Sequence, residues 1–128
     1  MRRLWTFALL AALAACADMG GPTAPKYPVF FGGWSTSLDD SARSVVAQAA
    51  QDAKAQPAAV VTVQGYSDPV GAPDDNIAIS RARAQTVADT LARDGVPQTR
   101  IRVVAHGSVP FVFDSQESRR VVISLDTP

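Results

Sequence analysis

From residue 29 onward the apolar positions keep changing their period, and this limits the folds open to the chain. Val29-Phe30-Phe31 reads as a short strand, broken by Gly32-Gly33. Leu38, Ala42, Val45, Val46, Ala49 and Ala53 then recur at helical spacing, with Ser37 as the expected N-cap and Pro57 ending the run. Ala59 to Gly65 is rich in β-branched residues and alternates in part, which predicts a strand. Pro69, Gly71 and Pro73 mark a loop, and Asp74 or Asp75 is the expected cap of a second helix reaching about Ala92, with Gly95 and Pro97 as its stop. Arg100 to Ala105 and Val121 to Leu125 read as the last two strands. The order β-α-β-α-β-β predicts an α/β (α+β) two-layer sandwich, a four-stranded mixed sheet with both helices on one face. A β-α-β crossover places functional loops beyond the strand's carboxyl end, here the loop from Tyr66 to Asn76.

The N-terminus obeys different rules. Met1-Arg2-Arg3 is basic, and Leu4 to Ala15 is an apolar run of twelve residues. As a helix it would span about 18 Å, short of the ~30 Å hydrocarbon core, so it reads as a secretory signal rather than a membrane span. Its end, Leu13-Ala14-Ala15-Cys16, resembles a bacterial lipobox, in which the signal is cut before a cysteine that receives lipid. The resemblance implies a signal peptide over residues 1 to 15 and acyl chains on Cys16 as a stable membrane anchor. Ala17 follows the cysteine, with Asp18 one position later, and the sorting rule of such lipoproteins then points to the periplasmic face of the outer membrane. Residues 16 to 28 comprise the lipidated cysteine and a tether with three prolines and two glycines, and residues 29 to 128 form the folded domain. The twelve residues after the cysteine reach at most about 40 Å, so the domain works close to its membrane.

Composition narrows the partners. The apolar fraction of 47% supplies a core, and the formal charge is zero. Arg2 and Arg3 belong to the signal, so ten basic and twelve acidic groups remain, a net charge of −2. Nucleic acid is therefore excluded as a partner, since a binder needs a basic excess. One cysteine excludes an internal disulfide, one cysteine with one histidine argues against a metal site, and no cofactor is expected.

One charge falls on the wrong face. At about 100° per residue, with Ile79 at zero, Arg83 lies near 40°, Val87 near 80°, Leu91 near 120° and Ala84 near 140°. An unpaired guanidinium cannot be buried there, so Arg83 must meet a carboxylate or border a cleft. Asp68, Asp74 and Asp75 are the nearby acids, and a salt bridge locking the loop to the helix is one reading.

Gly65-Tyr66-Ser67-Asp68-Pro69-Val70-Gly71, followed by Asn76-Ile77-Ala78-Ile79-Ser80-Arg81-Ala82-Arg83-Ala84 with Val87 and Leu91, resembles the OmpA C-terminal-like (Pal-like) domain. That pattern reads G-H-T-D-x-x-G, then N-x-x-L-S-x-x-R-A-x-x-V-x-x-x-L. Ser118-Arg119-Arg120-Val121 resembles its closing N-R-R-V, and the likeness runs from about Phe30 to Leu125. The resemblance implies non-covalent binding of peptidoglycan through the free end of meso-diaminopimelate, an ammonium and a carboxylate on one carbon. Asp68 would take the ammonium and Arg83 would grip the carboxylate with its planar fork. Asn76 would orient loop or ligand, and Ser67, Arg119 and Arg120 complete the candidate set. The chain departs from the pattern at Tyr66 for histidine, Ser67 for threonine, Ser118 for asparagine and at Gly32-Gly33-Trp34. The loop from Ser108 to Ser118 also lacks the family's acidic-glycine start.

Two other classes remain. Ser67, His106 and an aspartate could be written as a hydrolase triad, but the nucleophile elbow G-x-S-x-G is absent, and no enzyme is expected. The alternative on the same fold is a periplasmic protein-interaction module of a Tol-type or other envelope complex, without peptidoglycan binding.

Overall fold

The computed structural model describes residues 24–68, 71–108 and 118–127. Cys16, the signal and the loop centred on residue 113 lie outside the described residues. The elements are β1 (Lys26–Phe30), α1 (Asp40–Ala55), β2 (Val60–Ser67), α2 (Pro73–Arg93), a 3-10 turn (Gln98–Arg100), β3 (Ile101–Ser108) and β4 (Arg120–Asp126). They form one four-stranded mixed sheet in the order β1-β4-β2-β3, with β2 parallel to β3 and β4 antiparallel to both β1 and β2. Among the described residues, no helix is long and apolar enough to cross a membrane.

Alternation along β2 decides which face carries the helices. Val61, Val63, Gly65 and Ser67 are buried, while Thr62, Gln64 and Tyr66 between them are partly exposed. The buried set joins Val121, Ile123 and Leu125 of β4 and Val29 of β1 in one core with Ala42, Val46, Ala49 and Ala53 of α1 and Ala84, Val87 and Leu91 of α2. Both helices therefore cover one face of the sheet, as the order of elements implies.

Element boundaries depart from the apolar pattern where backbone chemistry decides. β1 starts at Lys26, within the stretch read as tether, because Lys26, Tyr27 and Pro28 pair with Ser124, Ile123 and Val122. Pro28 is tolerated there because β1 is an edge strand. Asp39, not Ser37, caps α1: its carboxylate accepts from the Ala42 amide at 2.7 Å, a charged acceptor outcompeting a hydroxyl. Neither Asp74 nor Asp75 caps α2. Ala72 is the N-cap without a side-chain bond, Pro73 follows, and the two acids occupy the first turn, where they complement the helix dipole. At the other end Gly95 adopts φ +105°, and the Val96 amide reaches back to the Leu91 carbonyl at 3.0 Å.

The Tyr27 hydroxyl donates to Asp52, tying β1 to α1. Burial first, and then this carboxylate, push the phenol up to about 12 from its usual 10.0. The fold favours the neutral phenol, so this contribution is whole below pH 10.0 and is lost as pH rises toward about 12. Chemical-denaturation midpoints taken between about pH 9 and 12 should fall more steeply for the parent than for Tyr27→Phe.

Candidate ligand-binding site

β2 delivers two polar side chains at its carboxyl end. Ser67 continues the buried row and Asp68 follows directly. One oxygen of Asp68, Oδ2, accepts from Arg119 Nη1 at 3.2 Å, with both side chains about one-fifth exposed. The other oxygen, Oδ1, is shielded from solvent and has no hydrogen-bond partner among the described residues, and neither has the buried Ser67 hydroxyl. Two adjacent orphaned acceptors are unusual in a folded protein and call for a donor from elsewhere.

Arg83 lies inward, as the helical wheel predicts, and is only 1% exposed. Its partners correct the expected salt bridge. Nε donates to the Ser35 carbonyl at 2.9 Å and Nη2 to the Gly33 carbonyl at 2.6 Å, and the guanidinium lies over the Phe31 ring, 5.3 Å from its centroid. Three backbone or ring acceptors thus replace the expected carboxylate, and they leave Nη1 without a hydrogen bond among the described residues. Two of the five N–H donors are thus engaged by the 33–35 turn, and those of Nη1 and the second of Nη2 remain for a ligand. Burial and then the charge of Arg119 lower its proton affinity, whereas Asp68 raises it. The guanidinium stays charged throughout. The sign of these effects places Arg83, Arg119 and Asp68 within electrostatic reach of one another, a cluster of two cations and one anion.

The remaining candidates sit around this cluster. Arg119 also donates to the Phe31 carbonyl through Nε at 3.4 Å. Asn76 is buried in the first turn of α2, where Nδ2 donates to the Ser108 hydroxyl at 2.9 Å, so it ties α2 to the end of β3. Arg120 lies over the Tyr66 ring at 4.5 Å, and that ring stacks on His106 with centroids 4.8 Å apart. His106 Nε2 meets Gln64 Oε1 at 2.8 Å. His106 and Tyr66 therefore occupy the sheet face opposite the helices, whereas Ser67 points toward the helices. That separation denies Ser67 and His106 the contact a nucleophile and its base require.

One neighbour escaped the sequence reading. Trp34 stands at the tip of a turn closed by the Ser35 amide on the Gly32 carbonyl at 2.7 Å, and it is 70% exposed. Its Cη2 lies 3.8 Å from the point a Cβ on Gly71 would occupy. An aromatic directly after Gly32-Gly33 is the signal in the sequence, where the segment stands only as a departure from the family pattern.

The model of the OmpA family matches residues 30–122 of this chain. The chain belongs to the OmpA family. It is 37% identical over 100 residues to the peptidoglycan-binding protein ArfA of Mycobacterium tuberculosis, covering 77% of this chain and 31% of ArfA. It is 33% identical over 79 residues to the peptidoglycan-associated lipoprotein of Agrobacterium fabrum, covering 62% of this chain and 45% of that protein. The crystal structure of the peptidoglycan-associated lipoprotein from Burkholderia pseudomallei superposes with a TM-score of 0.69 at 27% identity, over 77% of this chain and 88% of that one. These relatives mark the chain as a Pal-like OmpA C-terminal domain, and it spans less than half the length of either sequence relative.

Proposed function

We propose that this OmpA-family chain is a lipoprotein of the outer membrane, facing the periplasm, that binds peptidoglycan non-covalently and so ties membrane to wall. Residues 1 to 15 serve as the export signal, Cys16 carries the lipid, and the domain from residue 29 onward is the binding unit. The ligand group is the free end of meso-diaminopimelate. The observation that carries this reading is the Asp68 carboxylate, whose Oδ1 is buried without a partner beside the equally unpartnered Ser67 hydroxyl. An ammonium has three donors and fits that pair of acceptors. The carboxylate on the same carbon then falls to Arg83 Nη1 and Arg119, whose combined charge exceeds that of Asp68. The first turn of α2 adds its amides, partly offset by Asp74 and Asp75. The names of ArfA and of the peptidoglycan-associated lipoproteins support the polymer as the target.

Co-sedimentation with purified sacculi tests the assignment. The parent should pellet with sacculi, and Asp68→Asn, which keeps the shape but removes the charge, should bind roughly 10- to 100-fold more weakly. Its melting temperature should change little, because only the single 3.2 Å contact with Arg119 is weakened and an asparagine oxygen can still accept it. Undiminished pelleting of a folded Asp68→Asn protein would remove Asp68 from the site. A parent that stays in the supernatant would instead favour the protein-interaction module.

A further inference from the structure

We propose that Trp34 is a stacking platform for a sugar ring of the glycan strand whose stem peptide is held at Asp68; this rests on the peptidoglycan reading above. Among the described residues Trp34 is the most exposed of the large apolar side chains, at 70%. Here the exposure is built in. The Ser35 amide closes the turn on the Gly32 carbonyl, Gly33 adopts a left-handed φ of +34°, and Arg83 holds the carbonyls on both sides of Trp34 from beneath. A side chain carried on a pinned turn loses little further freedom on binding.

Its position links it to the candidate site. The ring edge leans over Gly71, in the connection that runs from Asp68 to α2, and a Cβ on Gly71 would also stand 4.0 Å from Asn76 Oδ1. The same buried Arg83 that holds the Trp34 turn lies within electrostatic reach of Asp68. Anything bound at Asp68 and extending past Gly71 therefore meets the indole. The chemistry selects the sugar over the peptide. An indole offers a flat apolar face with a polar N–H at its edge, and a pyranose offers a flat C–H face rimmed by hydroxyls and an N-acetyl group. A stem peptide of small side chains has no such plane.

Two probes separate the platform from the site it serves: a sugar-free tripeptide ending in meso-diaminopimelate and the disaccharide-tripeptide carrying the same peptide. Titrations use the mature lipidated chain, from Cys16 onward, in detergent micelles. The parent should bind the disaccharide form more tightly, and Trp34→Ala should lose roughly two- to tenfold for that probe alone. Trp34→Tyr, which keeps a ring, should restore most of the loss. Trp5 leaves with the signal, so Trp34 is the one tryptophan of the mature chain from Cys16 onward, and the disaccharide probe should shift its emission and the tripeptide should not. An equal loss for both probes in Trp34→Ala, or no loss for either, overturns the platform while leaving the Asp68 reading in place. A parent that binds neither probe overturns both.

Discussion

Gly65→Ala is expected to lower the melting temperature of the domain by roughly 12–20 °C, through a loss of about 3 kcal/mol. Gly65 lies in the middle of the sheet, between Ala105 of β3 and Val121 of β4, where β2 passes under α2. A Cβ there would stand 2.1 Å from the Ser80 carbonyl oxygen, 2.9 Å from its carbon and 3.2 Å from Ala84 Cβ. The first two are helix backbone, so no rotamer change relieves the clash and α2 itself must lift from the sheet. The seam is tight because small groups line it. Ser80 is fully buried, its hydroxyl donates to the Ile77 carbonyl at 2.9 Å, and it accepts from the Gly107 amide at 3.1 Å.

The damage extends to the candidate site. β2 presents Ser67 and Asp68 directly after this seam, and α2 carries Arg83 and Asn76 on the same inward stripe. Lifting the helix separates the cation from the anion, so binding to sacculi should fall together with stability. Gly32→Ala provides the contrast, because nothing lies within 4 Å of its Cβ position, and it should change stability by about 0.5 kcal/mol or less. Gly107→Ala should fall between them: its φ of +72° disfavours a side chain, but the one close atom, Ile77 Cγ1 at 2.8 Å, belongs to a side chain and not to helix backbone. Thermal melts of the three variants test the order. A Gly65→Ala protein that melts with Gly32→Ala would show that the helix does not rest on β2 at this point.

Much of this arrangement could be read from side chains in order, and what could not be read has a common cause. The order of elements was legible because burying one face forces a period of two on strands and 3.6 on helices. The inward position of Arg83 followed from the same geometry. Its partners did not, because the Gly33 and Ser35 carbonyls are backbone atoms that every residue possesses. The early start of β1 escaped for the same reason, since Lys26 and Pro28 are held by ladder pairing and not by apolar side chains. The Asp68–Arg119 contact joins residues 51 apart, a separation that no local pattern encodes. Trp34 looked like noise because its environment is set by a turn and by the neighbouring Gly71.

Arg83→Met is expected to destabilise the domain by about 2–4 kcal/mol, enough to lower its melting temperature by roughly 8–25 °C. Methionine fills much of the volume, so the loss is chiefly that of two charge-assisted hydrogen bonds and the contact over Phe31. The place of the damage distinguishes this reading from a salt bridge. With carbonyl partners, the turn around Trp34 is what Arg83 restrains, so amide exchange should accelerate at Gly33 to Ser37 while the centre of α1 stays protected. If Arg83 were instead paired with an acid, that exchange would hardly change, and substituting Asp74 or Asp75 by asparagine would reproduce the loss. Arg83→Lys sharpens the distinction. A lysine retains the charge near Asp68 but cannot span both carbonyls with a planar fork, so it should recover part of the sacculus binding while the turn remains labile. A buried arginine thus ties two properties together: it gives the candidate site its positive field and fixes the turn on which Trp34 stands. Separate measurements of exchange at the turn and of binding to sacculi should therefore respond differently to lysine and together to methionine.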